Sequence, residues 1–180
     1  MKTKIYIAGQ EGMVGSAILK LIKKKKLKIV NCKRSDLNLV DQQKVEKWFK
    51  KNKPDIVINA AGRVGGILDN SKYIDEYIYT NTMIGFNLLN SAYNNGVKKF
   101  INLGSACIYP RNSKQPIKED YLLSSKLEKT NEPYALAKIS TLKYCEYLNQ
   151  RYKKNFISLQ PANLYGEGDN FDLKSSHVIP

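Results

Sequence analysis

Short apolar runs alternate along this chain with longer stretches that carry apolar residues at helical spacing. Ile5-Tyr6-Ile7-Ala8 is an apolar run closed by Gly9 and predicts a buried strand. Val14 to Ile22 shows helical periodicity and ends in the lysine run Lys23 to Lys26, where cations suit a helix C-terminus. Lys28 to Cys32 predicts a second strand. Asp41 to Phe49 predicts a helix capped by Asp41. Asp55 to Ala60, preceded by Pro54, predicts a third strand, and Tyr73 to Asn94 a long helix. After Val97, Phe100 to Leu103 predicts a strand closed by Gly104-Ser105. Tyr134 to Tyr152 predicts a helix with Pro133 near its first turn, a favoured place for proline. Phe156 to Leu159 predicts a last strand. Between Pro110 and Asn131 the chain is polar and aperiodic, which predicts a surface loop.

Strand and helix alternate throughout, so the fold class expected is α/β: a doubly wound parallel sheet of Rossmann type, covered on both faces. A length of 180 residues is enough for one such core. No apolar stretch is long enough for a transmembrane helix, and Met1-Lys2-Thr3-Lys4 has no signal-peptide character, so no membrane association is expected. Cys32, Cys107 and Cys145 are odd in number and unpatterned. They fit a reducing cytoplasm and no metal site.

The net charge of +14 raises nucleic acid as a partner. The excess is lysine, gathered at helix ends such as Lys50, Lys51 and Lys53, while Arg34, Arg63, Arg111 and Arg151 are scattered. Base-reading sites favour arginine, and single-strand platforms interleave aromatics with charge. The charge therefore reads as a solvated face, without a nucleic-acid partner. It would still attract a phosphate-bearing substrate.

Gly9, Gly12 and Gly15 follow the first strand and open a helix. In that context Gly9 suits a tight turn, Gly12 the close approach of a pyrophosphate, and Gly15 close packing of helix on sheet. Arg34, just after the second strand, stands where a ribose-recognising residue is expected and suits a 2′-phosphate. Glu11, inside the glycine turn, would repel that phosphate.

Tyr134 and Lys138 are four residues apart and share a helix face, and Ser105 ends a strand upstream. A free tyrosine titrates at about 10, and lowering it by about 3 units takes about 4 kcal/mol. One ammonium at about 4 Å supplies that order at an effective dielectric of about 20. Lys138 is therefore expected to hold the Tyr134 phenol down. In a reduction Tyr134 would protonate the substrate oxygen, with Ser105 hydrogen-bonded to the same atom. Cys107 and the sole histidine, His177, have suitable acidities, about 8.5 and 6.5, for moving protons beside a ketone, though nothing in their spacing brings them together.

The chain resembles the extended short-chain dehydrogenase/reductase family, and within it the enzymes that epimerise and reduce GDP-4-keto-6-deoxy-mannose. The matching segments are Ile7 to Ile18, Leu37 to Asp41, Val64 to Ile67, Leu103 to Pro110, Lys114 to Pro116, Thr130 to Ile139, Asn163 to Gly166 and Ser176 to Pro180. Ser-x-Cys at Ser105 and Asn-Glu-Pro-Tyr-Ala-x-Ala-Lys at Asn131 are the specific ones. The resemblance implies NADPH as cofactor, held by Gly9, Gln10, Glu11, Gly12, Met13, Val14 and Gly15. It extends that site to Arg34, Ser35, Asp36, Leu37, Asn38 and Leu39, and to Leu103, Gly104, Ser105 and Ala106. Lys138, His177 and the run Pro161, Ala162, Asn163, Leu164 complete it. It implies Tyr134 as proton donor with Ser105 and Lys138, and Cys107 with His177 as base and acid of epimerisation.

It further implies a GDP-sugar substrate and a homodimer formed through two long helices. Residues 1–165 would be the NADP-binding domain and 166–180 the start of a truncated substrate-binding region. Two residues depart from the family pattern: Glu11 replaces a commonly basic residue, and Ala106 a frequent serine. A heptose-type GDP-sugar reductase or epimerase, and a non-catalytic nucleotide-binding module, remain open alternatives.

Overall fold

The computed structural model describes residues 2–25 and 27–172. Its strands are β1 (Lys4–Ala8), β2 (Lys28–Val30), β3 (Ile56–Asn59), β4 (Lys99–Leu103) and β5 (Asn155–Leu159). Its helices are α1 (Met13–Lys24), α2 (Gln42–Asn52), α3 (Ile67–Lys72), α4 (Ile74–Asn94) and α5 (Glu132–Tyr152). All strand pairs are parallel, in the order β2-β1-β3-β4-β5. The chain steps from β1 to β2 in one direction and from β3 to β5 in the other. A doubly wound sheet of this kind opens a crevice where the order reverses, at the carboxyl ends of β1 and β3.

Side-chain alternation decides what covers the sheet. Tyr6, Ala8, Val57, Phe100 and Phe156 point to one face and are buried. They form one core with Val45 and Phe49 of α2, Leu88, Leu89 and Ala92 of α4, and Cys145 and Leu148 of α5. The right-handed rule for crossovers puts α1 on the opposite face. There the alternate residues Ile58, Ile101 and Ile157 are only half-buried among the described residues.

Most element expectations hold. Asp41 caps α2 by accepting the Lys44 backbone N–H at 3.0 Å. The strand expected over Lys28 to Cys32 stops at Val30. α3 was not legible, because six residues show no full amphipathic period. It is held instead by Asn70, whose side-chain amide donates to the Gly65 and Gly66 carbonyls. The stretch from Pro110 to Asn131 contains one short 3-10 turn, Glu119–Tyr121, and otherwise runs irregularly.

A polar ladder crosses the carboxyl edge of the sheet. Asn59 Nδ2 donates to Asn102 Oδ1, and Asn102 Nδ2 donates to Ser158 Oγ, each at 3.0 Å. Strand register makes this possible, since Asn59 lies opposite Asn102 and Asn102 opposite Ser158. Both asparagines are almost wholly buried, so losing either partner exposes no water to replace it. Asn102→Leu should therefore destabilise the fold by about 3 kcal/mol. Urea unfolding at neutral pH checks this; an unchanged midpoint would show the ladder to be energetically idle.

Candidate active site

The glycine turn connects β1 to α1 at the crevice. Gly9 has φ 79°, and a Cβ on it would lie 2.8 Å from the Ala60 carbonyl carbon. A Cβ on Gly15 would come within 2.0 Å of the Gly9 carbonyl oxygen. Both positions are thus demanded by the fold itself. Gly12 differs: a Cβ there would make only an ordinary contact, 3.5 Å from Gly9 O. It caps α1 without a side-chain hydrogen bond. The first-turn amides of Met13, Val14 and Gly15 lie beyond it, and first-turn amides have no acceptor within their own helix. Beside them Gln10 is buried, with its Oε1 unpartnered among the described residues. These features fit a pyrophosphate at the N-terminus of α1.

The segment after β2 frames the other end of the crevice. Glu11 Oε2 accepts the Arg34 backbone N–H at 2.8 Å. Asp36 accepts the Ser35 hydroxyl and the Lys33 backbone N–H at 3.1 and 3.3 Å. Leu37 is buried. Asn38 Oδ1 accepts the Val40 N–H, and Asn87 of α4 donates to the Leu39 and Val40 carbonyls at 2.9 Å each.

Ser105 follows β4, and its loop is aimed by the chain beyond β5. Its backbone N–H donates to Gln160 Oε1 at 2.9 Å, and its Oγ accepts the Cys107 N–H at 3.2 Å. Gln160 reaches in because Gly104 has no Cβ; one there would sit 2.0 Å from Oε1. Gln160 Nε2 also donates to Ser158 Oγ, joining Ser105 to the polar ladder. Ala106 N–H donates to the Pro161 carbonyl at 3.0 Å. Leu103, Gly104, Ser105, Ala106 and Pro161 are thereby brought together. Ala162, Asn163 and Leu164 lie exposed beyond them. Cys107 sits half-buried in a 3-10 turn at Ala106–Ile108. His177 lies outside the described residues.

Tyr134 and Lys138 stand a turn apart on α5. The Lys138 ammonium is 5.5 Å from the centre of the Tyr134 ring and donates to the Leu103 carbonyl at 3.0 Å. Its side chain is buried, and burial pushes its pKa down to about 8. The Tyr134 phenol is pushed up to about 12, first by burial and then by the electrostatic influence of Cys107; a hydrogen bond with Ser105 acts the other way. The expectation that Lys138 would hold this phenol down is thus corrected. Desolvation dominates, and the ammonium is turned to the Leu103 carbonyl rather than to the phenol oxygen. At neutral pH the phenol keeps its proton, which suits an acid.

Further residues support this site without having been anticipated from sequence. Asn81 of α4 accepts the Arg63 N–H and donates to its carbonyl, at 3.0 and 3.1 Å, fixing the loop after β3 beside Lys138. Tyr77 packs edge-on against Tyr134, with ring centres 6.4 Å apart, and donates to Asp69 at 2.5 Å. Arg63 lies over Tyr73 and Tyr77 and pairs with Glu76 and Asp69. One signal was available for the polar ladder: Ile-Asn recurs at Asn59, the end of β3, and at Asn102, next to last in β4, a polar residue after an apolar run.

A glycine turn at the switch point and a Ser, Tyr and Lys group on one sheet edge define a dinucleotide-dependent class of enzyme fold. The chain belongs to the NAD dependent epimerase/dehydratase family, whose model matches residues 5–180. It is 46% identical over 177 residues to a GDP-L-fucose synthase of Sinorhizobium fredii, covering 98% of this chain and 56% of the relative. It is also 46% identical over 180 residues to the GDP-L-fucose synthase of Escherichia coli, covering 99% and 56%. A solved GDP-D-glycero-L-gluco-heptose synthase from Campylobacter jejuni, determined in the presence of NADPH, superposes with a TM-score of 0.94 at 39% identity, covering 98% of this chain and 52% of that one. The chain thus spans about half the length of the relatives it matches.

The buried ammonium gives a signed pH dependence. An unfolded lysine holds its proton to about 10.5, whereas folded Lys138 releases it near 8. Below pH 8 both states are protonated and the burial cost is felt in full. Above it the unfolded chain binds more protons, so stability rises toward pH 10.5. Lys138→Met should remove a rise of about 2 kcal/mol between pH 7 and 9.5. Urea midpoints of both proteins at the two pH values measure it; parallel profiles would show Lys138 to be freely hydrated.

Proposed function

We propose that this chain is the cofactor-binding and proton-transferring part of an NADP-dependent GDP-sugar epimerase/reductase, acting on a GDP-4-keto-6-deoxy sugar. The observation that carries this reading is the convergence of Ser105, Cys107, Tyr134 and Lys138 at the sheet edge that also holds the bare amides of α1. The GDP-L-fucose synthases among its relatives support the substrate class, and the structure determined with NADPH supports the cofactor.

NADPH, when bound, supplies the hydride that reduces the sugar at C4. The Met13, Val14 and Gly15 amides would hold its pyrophosphate, and Lys138 would lie against its ribose. Ahead of reduction, the 4-keto group acidifies the protons at C3 and C5. Cys107 would remove such a proton, and His177 would return one to the opposite face, inverting each centre. As charge then develops on the C4 oxygen, Tyr134 would donate its phenolic proton and Ser105 a hydrogen bond. A phenol, even one raised by burial, is still more acidic than the alcohol formed, so this transfer runs downhill. Residues 1–165 make up the dinucleotide domain in this reading, and 166–180 begin the region that contacts the sugar.

We further infer a cytoplasmic homodimer. Three free cysteines suit a reducing compartment. The outer faces of α4 and α5 expose Tyr79, Phe86, Leu136 and Tyr147. Phe86 packs at a tilt against Tyr144, with ring centres 5.2 Å apart, and Tyr93 against Tyr152 at 4.6 Å, so the two faces form one aromatic surface. A patch of this kind on paired helices suits burial against its own copy. The double variant Tyr79→Glu/Tyr147→Glu should sediment as a monomer, where the parent sediments as a dimer. A parent that is monomeric at micromolar concentration would refute the interface.

Tyr134→Phe should slow NADPH oxidation by at least about a hundredfold with GDP-4-keto-6-deoxy-mannose. Near-normal oxidation would remove Tyr134 from the chemistry. Cys107→Ser should abolish deuterium exchange from solvent at C3 and C5 while leaving NADPH affinity unchanged. Mass spectrometry and fluorescence titration read the two quantities separately. Turnover of a GDP-heptose substrate in place of the deoxy sugar would redirect the assignment toward the solved heptose synthase.

A further inference from the structure

The ribose end of the crevice carries an unusual charge arrangement. Glu11 leaves the glycine turn and bonds the backbone of Arg34, the first residue positioned to greet a ribose after β2. This one hydrogen bond joins the two pieces of backbone that frame the ribose. It also holds a carboxylate at the backbone of the residue whose guanidinium would otherwise meet a 2′-phosphate. Asp36 adds a second carboxylate two residues further on. Both reach the neighbouring Cys32 thiol: its pKa is pushed up mainly by burial, then by Asp36, and also by Glu11. Negative charge is therefore concentrated where a 2′-phosphate would bring about two more negative charges. A free 2′-hydroxyl, by contrast, can donate to a carboxylate. Arg34 and Lys33 remain available to attract a phosphate, so the two effects oppose each other.

We propose that Glu11 is a specificity-determining residue that opens the ribose end of the site to a dinucleotide with a free 2′-hydroxyl, so that NADH binds this chain about as well as NADPH. The proposal rests on the dinucleotide-binding reading above and concerns only which dinucleotide is accepted. Glu11→Gln separates charge from geometry, because its amide oxygen can still accept the Arg34 N–H. Glu11→Lys reverses the charge outright.

Fluorescence titration of the full chain with NADH and with NADPH, at about 50 mM and about 500 mM salt, tests the idea. The parent should bind the two with dissociation constants within about tenfold of each other. Glu11→Gln should shift the ratio toward NADPH by about tenfold, and Glu11→Lys by more. The shift should shrink at the higher salt, where exposed charges are screened. A parent that prefers NADPH by a hundredfold or more overturns the proposal, as does a Glu11→Gln ratio equal to the parent's in a variant with unchanged circular dichroism. Failure of the parent to bind either dinucleotide at millimolar concentration overturns the underlying dinucleotide reading instead.

Discussion

The burial of one ammonium organises the carboxyl edge of this molecule. Lys138 gives up water and receives the Leu103 carbonyl, the last on β4, in return. That bond ties the first turns of α5 to the end of the strand that delivers Ser105. A buried amine without such a partner would be driven to its neutral form. With it, the charge persists to about pH 8, but at a cost in stability. Tyr134 shares that dry surrounding and shifts in the opposite sense, because its charged form is the deprotonated one. One desolvated corner therefore holds a phenol that keeps its proton more tightly beside an ammonium that gives its proton up more readily.

The corner stays dry and fixed because several buried polar groups pair with one another. Asn59, Asn102, Ser158 and Gln160 form a chain of side-chain hydrogen bonds that ends on the backbone of Ser105. Asn81 performs the same task for the loop holding Gly62 and Arg63. Loops usually carry functional groups on a rigid scaffold. Here the rigidity comes from polar cross-links as well as the apolar core beneath. The core of Val57, Phe100, Phe156 and Leu88 sets where the strands lie, and the ladder sets where their ends point.

Glycine does two different jobs within a single turn. Gly9 and Gly15 are required by the chain's own close approaches, so a side chain at either would push backbone against backbone. Gly12 is free of that demand, and its bareness leaves room beside the α1 amides for something outside the chain. Glu11 sits between them and turns its carboxylate to Arg34. The same seven residues thus fix the strand-to-helix packing, leave space beside the α1 amides and tie the turn to the segment after β2.

The sequence by itself determined the layered α/β class, because strand-length and helix-length apolar runs alternate and each period can be satisfied in only one local geometry. It also marked Gly9 to Gly15, Ser105, Tyr134 and Lys138, since their chemistry is tied to spacing within one element. Tertiary structure alone decided the pairing of Asn59 with Asn102, forty-three residues apart, and the reach of Gln160 to Ser105. Both depend on strand register across the sheet. It also decided the protonation of the site: spacing placed an ammonium near a phenol, yet burial, which no local pattern encodes, raised the phenol and lowered the amine. Contacts within an element follow from the order of residues along it, whereas desolvation and register follow from what the rest of the chain brings alongside.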